Sequence, residues 1–397
     1  MTKKLTSWFL LPLSVSLLLG ACGAVEVREQ TAAKVEEGET DRPDVAVPAV
    51  GAEVIQLGGA EELPRIIPKL AANRVVYVGE THDRYSHHLG QLGIIEGLHQ
   101  RNPSLAIGME FFQQPFQPAL DDYISGVVDE QEMLRRTQWY ERWIYDYRLY
   151  RPILQYARQN GIPLIALNVP KEIIQRVSKV GIEGLNEEER SKIPAEIDSS
   201  NQAYRERLQG VFKRHAHTKG RDFNRFLQVQ LAWDEGMAER VANYLKENPQ
   251  RQMVVLAGSG HLVNGTGIPQ RVDRRLAIDS AIVLPGEDLR IKPGIADYLI
   301  FPQAAGLPKP GLMGVFLATD DQGVRISGLS AGGAAGQAGV EKDDLIQALN
   351  GEEIKNMSDL RIGLLDRSPG DRIRLTVQRE QLVWGEKTLD FEFELGD

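Results

Sequence analysis

Five short runs, Arg74–Val78, Leu105–Glu110, Pro163–Asn168, Gln252–Ala257 and Ala277–Leu284, are nearly continuous in Val, Ile, Leu and Ala. Strands written this way, without polar alternation, are covered on both faces, which predicts a mostly parallel sheet between layers of helices. Helical patterns separate the runs. Ser86–Gln100 is one, and a region from Ala119 to Gln159 that stops at Asn160-Gly161 is another. Phe223–Lys246 places Phe223, Phe226, Leu227, Met237, Val241 and Leu245 largely on one face. The expected fold class is therefore α/β over residues 53–285, with flanking helices and a helical insertion at Lys171–Arg221.

Ligands of open α/β sheets bind beyond the carboxyl ends of the strands, so the residues that follow each run matter most. The first run enters Gly79-Glu80-Thr81-His82. The second ends in Gly108-Met109-Glu110, the third at Asn168, and the fourth in Gly258-Ser259-Gly260-His261. Two Gly-x-x-His turns and two carboxylates are thus expected on one rim. Glu80, His82, Glu110 and His261 are the candidate ligands of a divalent first-row metal such as Fe, Mn or Zn. In a hydrolase, Glu80 or Glu110 would be the catalytic base acting on a bound water. His87 and His88 could add ligands or support the site near His82, but the favoured reading is of solvated residues at the start of the next helix, with His99 as a partner of that helix's negative end.

This motif order resembles the ChaN haem-binding lipoproteins and the wider superfamily of Tiki proteases, TraB-like proteins and erythromycin-esterase-like hydrolases. Val78-Gly79-Glu80-Thr81-His82, Gly108-Met109-Glu110-Phe111, the aromatic stretch Trp139–Tyr150 and Ala257-Gly258-Ser259-Gly260-His261 carry the resemblance. It implies that Glu80, His82, Glu110 and His261 line the functional pocket, and that the ligand is haem or a metal. Trp139, Tyr140, Trp143, Tyr145, Tyr147 and Tyr150 could clasp a flat porphyrin. Tyr147 and Tyr150 are the candidate haem-iron ligands, since a phenolate can bind haem iron. An aromatic face of this kind would also let two copies share a ligand in a homodimer.

The chain's 397 residues carry a formal charge of −9, which argues against a nucleic-acid partner. Its one cysteine excludes an intrachain disulfide and any multi-cysteine metal site. That residue, Cys22, follows Leu19-Gly20-Ala21 at the end of a short apolar run led by Lys3 and Lys4. The order resembles a bacterial lipobox, which implies a signal peptide over 1–21 and lipidation at Cys22. Gly23, rather than Asp, follows; this points to the outer membrane of a host that has one. Residues 22–52 are acidic and rich in Ala, Val and Pro, and read as a tether. Against this background, residues 205–225 stand out as basic: Arg205, Arg207, Lys213, Arg214, Lys219, Arg221 and Arg225 flank His215 and His217. Such a run is a solvated face or an arm that meets carboxylates or anionic lipid.

Residues 286–309 contain Pro293, Pro302 and Pro308 and read as a linker. The 310–397 segment resembles a small, mainly-β PDZ domain of the bacterial type. Leu312-Met313-Gly314-Val315 would be the turn whose backbone N–H groups receive a peptide's carboxylate, with the peptide added as an edge strand. Asn350-Gly351 predicts a two-residue hairpin turn. Three functions follow in order of preference: a membrane-anchored haem- or iron-binding lipoprotein in uptake, a metal-dependent hydrolase of the Tiki or erythromycin-esterase type, and a non-catalytic envelope adaptor.

Overall fold

A computed structural model of the chain describes residues 61–214, 222–287, 289–381 and 385–397. Cys22, the leader, the tether, and His215 and His217 lie outside the described residues.

The first half alternates strand and helix. Its strands are β1 (Val75–Glu80), β2 (Leu105–Gln113), β3 (Leu164–Asn168), β4 (Gln252–Gly258), β5 (Ser280–Pro285) and β6 (Tyr298–Ile300). They form one sheet in the order β3-β2-β4-β1-β5-β6, and every pairing is parallel. β2, β4 and β1, the strands that end in the predicted motifs, are therefore neighbours at the centre of the sheet. The sixth strand corrects the expected linker. Its three residues are too short a run to stand out among the prolines of 286–309, yet Val283, Leu284 and Pro285 pair with Tyr298, Leu299 and Ile300.

Side chains alternate across the sheet with the two-residue period of a strand. Val76, Val78, Ile107, Met109, Val254 and Leu256 point to one face. There they meet α1 (Leu63–Ala71), α2 (Tyr85–Arg101), α3 (Gln117–Ile124), α4 (Glu130–Arg136), α5 (Trp139–Arg142) and α6 (Arg151–Asn160). Gly161 closes α6 with φ +63°, as the Asn-Gly pair predicted. Val75, Tyr77, Ala106, Met253, Val255 and Ala257 point to the other face. The insertion forms α7 (Lys171–Val180), α8 (Glu187–Arg190) and α9 (Gln202–Arg214). The 25-residue α10 (Phe223–Glu247) and α11 (Ile268–Arg275) cover the second face. Among the described residues no helix is long and apolar enough to cross a membrane.

The C-terminal domain is antiparallel. Its elements are β7 (Val315–Asp320), β8 (Gly323–Leu329), α12 (Ala334–Gln337), β9 (Leu345–Leu349), β10 (Glu352–Glu353), α13 (Met357–Gly363), β11 (Arg372–Gln381) and β12 (Gly385–Glu394). The strand order is β12-β11-β9-β8-β7, with β7 at an edge. Asn350 and Gly351 both have positive φ in the β9–β10 hairpin, as their types demand. α13 packs on α4 and α5: Ile362 and Leu365 join the first-face core of the sheet domain. Arg135 pairs with Asp359 at 3.4 Å, and Arg151 bonds Asp366 as well as Glu130.

Candidate functional site

The sheet brings Glu80, His82, Glu110 and His261 to one rim. Glu80 is the last residue of β1, Glu110 follows the last residue of β2 that pairs with β4, and both are buried. Gly258, at the end of β4, lies between them. Its N–H donates to Glu110 Oε2 at 2.7 Å, and a Cβ here would stand 2.9 Å from His82 Cε1. The glycine is needed for this close approach rather than for an unusual φ.

Each histidine is held by a carboxylate. His82 Nδ1 bonds Glu80 Oε1. His261 Nδ1 bonds Asp234 Oδ1 at 2.5 Å, which turns its Nε2 to 3.4 Å from Glu110 Oε1. Tyr204 donates its hydroxyl to the other Asp234 oxygen at 2.7 Å. Burial opposes charge on His261, but Glu110 and Asp234 outweigh it and push its pKa up to about 9. Burial likewise opposes charge on His82, and the Glu80 bond reverses the sign, so its pKa is raised. Burial also raises the Glu80 carboxyl, against the pull of His82.

Glu80 Oε2 is buried and has no hydrogen-bond partner. Ligand atoms of Glu80, His82 and Glu110 all lie within 4.8 Å of one another. An orphaned carboxylate oxygen beside an imidazole and a second carboxylate fits a divalent cation, which would supply the missing partner. His261, with one nitrogen committed to Asp234, stands at the edge of this group rather than within it.

His87 and His88 are not solvated, contrary to the sequence reading. They are 3% and 1% exposed. The Thr81 N–H donates to His87 Nδ1 at 3.0 Å, and His88 Nε2 donates to the His82 carbonyl at 3.3 Å. Burial lowers the His88 pKa to about 4, so this ring is a neutral brace for the turn. His99 sits in the last turn of α2 as expected, 3.0 Å from the Tyr156 hydroxyl.

The aromatic stretch divides into core and rim. Trp139, Tyr147 and Tyr150 are fully buried. Tyr147 donates to Glu130 at 2.8 Å; Tyr150 donates to the His82 carbonyl at 3.0 Å and accepts from Trp143 Nε1. Both hydroxyls named as candidate haem ligands are thus sealed in the core and committed elsewhere, because burying a phenol requires a partner for its hydroxyl. Trp143 and Tyr145 instead pack against His82, edge-on and tilted respectively, each at 4.9 Å between centroids, and Ile144 between them is 79% exposed.

The residues missed from sequence are Asp234 and Tyr204; Arg207 and Tyr145 stand in the sequence reading only as members of the basic run and of the aromatic stretch. Asp234-Glu235 is a buried acidic pair in the middle of an apolar helix, a signal that the sequence did carry. Glu235 anchors α11 and the insertion: Arg271, Arg274, Arg275 and the Asp198 N–H all converge on it.

In the C-terminal domain, Gly314 has φ +73° and Cα of Gly333 would lie 2.6 Å from a Cβ there. Leu312 exchanges both backbone bonds with Gly396, so its amide is committed; Met313 and Gly314 follow as the candidate carboxylate donors, ahead of Val315 at the start of the β7 edge. Leu312 and Phe316 stand 48% and 61% exposed beside them.

A family model described as haem-binding uptake, Tiki superfamily, ChaN matches residues 66–272, and a PDZ-domain model matches 305–378. Among solved structures, the ChaN of Campylobacter jejuni described with cofacial haem binding is 16% identical with a TM-score of 0.50, over 60% of this chain and 90% of that one. At that identity the likeness speaks for the fold. An erythromycin esterase mutant in its open conformation is more distant, with 16% identity, 55% and 72% coverage and a TM-score of 0.36. Protein RETICULATA-RELATED 5, chloroplastic, of Arabidopsis thaliana is 26% identical over 272 residues, 60% of this chain and 35% of that protein. The chain thus spans little more than a third of the curated relative it matches. With more than half of its residues matched, the chain belongs to the ChaN haem-binding uptake family of the Tiki superfamily and carries a PDZ domain at its C-terminal end.

Proposed function

We propose that this protein binds haem at the rim above β1, β2 and β4, as a lipid-anchored component of haem or iron uptake in the bacterial cell envelope. The observation that carries the reading is the half-exposed Trp143–Tyr145 pair packed against His82 in a chain of this family. Tyr145 replaces Tyr147 and Tyr150 as the candidate iron ligand, since its ring is on the rim. Burial and then Glu80, Asp83 and Glu110 raise its pKa, so the unliganded protein holds it as a neutral phenol. Bound haem would supply the iron that takes the oxygen as phenolate. Haem added to the purified protein is expected to shift its Soret band, and Tyr145→Phe to move that band and weaken binding. An unshifted Soret band in both oxidation states would sink the reading.

Anchoring rests on Cys22 and the apolar run before it. Cys22→Ala is expected to move the protein from the membrane to the soluble fraction, and an unchanged distribution would remove the anchor. The PDZ domain would take C-terminal peptides of envelope partners along the β7 edge.

A second reading, a metal-dependent hydrolase, is favoured by the orphaned Glu80 Oε2. Glu80, His82 and Glu110 would hold the cation, with Glu110 or Glu80 as base. Glu80→Gln is then expected to weaken Mn²⁺ or Zn²⁺ binding by at least tenfold while Tm does not fall, because the buried carboxylate is itself costly. Equal metal content in wild type and variant would dismiss this reading.

A further inference from the structure

Arg207 lies on α9 with its guanidinium turned inward; burial opposes its charge and the nearby Asp234 carboxylate favours it. Nη1 donates to the Gly260 carbonyl at 2.9 Å, in the turn that carries His261. The ring of Tyr204 lies 5.2 Å from the guanidinium carbon. The remaining nitrogens, Nε and Nη2, are buried and have no hydrogen-bond partner. These two N–H groups form the side-on edge of the guanidinium, the edge that receives both oxygens of a carboxylate at once. Leaving it unpaired in the interior is costly, so its preservation asks for an occupant.

The space beside it is a cavity of about 290 Å³ between α9 and α10, with Leu208, Val211, Phe212 and Phe226 as apolar walls and Gly260 and His261 at its inner end. Small-molecule sites run from about 300 to 1,000 Å³, so this one takes a small ligand or one arm of a larger one. Two other basic groups of this segment have partners of their own: Arg205 bonds Asn224 and lies over the Phe223 ring, and Arg225 pairs with Glu183.

We propose that Arg207 and this cavity form a carboxylate-binding subsite for a ligand with an apolar body. It adjoins the site of the proposed haem reading without depending on it. A haem propionate and a separate small organic acid share the required chemistry.

The test uses the full chain. 1-Naphthaleneacetate is titrated by calorimetry against its uncharged isostere 1-naphthaleneacetamide, in wild type, Arg207→Gln and Arg207→Lys. The acid is expected to bind wild type at least tenfold more tightly than the amide. Arg207→Gln should abolish that preference, and Arg207→Lys should keep part of it. Tm of Arg207→Gln should hold, since the lost Gly260 bond is offset by removing two buried N–H groups without partners; a structural arginine would lower it. Equal binding of acid and amide, or binding of neither, overturns the proposal. So does a preference that survives Arg207→Gln. A parallel Soret titration compares haem with its dimethyl ester. If haem binds more tightly than the ester and Arg207→Gln erases the gap, the subsite takes a propionate. If the two bind alike while the naphthalene acid is still preferred, it takes a separate acid. With no Soret shift at all the haem reading fails, and the calorimetry still decides the subsite.

Discussion

The two candidate sites of this chain are built from opposite materials. The rim of the parallel sheet is made of side-chain charge held out of water, with Glu80, Glu110, Asp234, His82 and His261 each fixed by another titratable group. The PDZ edge is made of backbone: an extended strand, a positive-φ glycine and two amides, beside the exposed Leu312 and Phe316. Among the described residues the sheet domain holds every histidine, all but His99 at or beside the rim, and the PDZ domain none. Buried charge makes a site strong but sensitive to protons and to the loss of any one partner. Backbone makes a site indifferent to pH but dependent on one local conformation.

The difference can be broken most forcefully at Glu235. Glu235→Ala strands three arginines around a buried position and is expected to cost about 3–5 kcal/mol in urea unfolding, with His261 losing its fixed orientation as α10 loosens. Next, Gly314→Val forces a Cβ into Gly333 at a left-handed φ. About 1–3 kcal/mol of strain should appear, and binding of a C-terminal peptide should be lost while haem binding at the rim is unchanged. A haem effect of Gly314→Val would show that the contrast between the sites is too sharply drawn.

The proton dependence is smaller and has a sign on each side. His261 is raised to about 9 from 6.5, so its stabilisation is complete below pH 6.5 and is lost as pH rises to 9. His88 is lowered to about 4, so it favours the fold above pH 6.5 and loses that advantage as pH falls toward 4. As far as these two groups decide it, stability of the metal-free protein in chemical unfolding should therefore fall on both sides of about pH 6.5. His88→Gln should flatten the acid limb alone. The smallest effect belongs to Arg136→Gln, which removes a half-exposed pair with Asp122 and should change stability by no more than about 0.5 kcal/mol.

The sheet was legible because buried parallel strands announce themselves as apolar runs, and the rim because three of those runs lead abruptly into Glu or His. What joins those residues was not. Asp234 reaches His261 from a helix, and nothing local fixes the rotation of α10 against β4. Tyr147 and Tyr150 look identical to Tyr145 in sequence; only the path of the chain through α5 and the turn after it decides which phenol is sealed and which faces out. His88 was misread for the same reason, since a helix start is solvated only when no neighbouring turn covers it.

Arg151 bonds Glu130, which also receives the Tyr147 hydroxyl, and on its other side it bonds Asp366. Beside it, Ile362 and Leu365 complete the apolar core under the sheet. Severing the chain within 286–309 would expose that core on one fragment and leave α13 bare on the other. The two modules are therefore a single heritable part. A gene fusion that transplanted the PDZ segment alone would carry away a piece of the sheet domain's own interior.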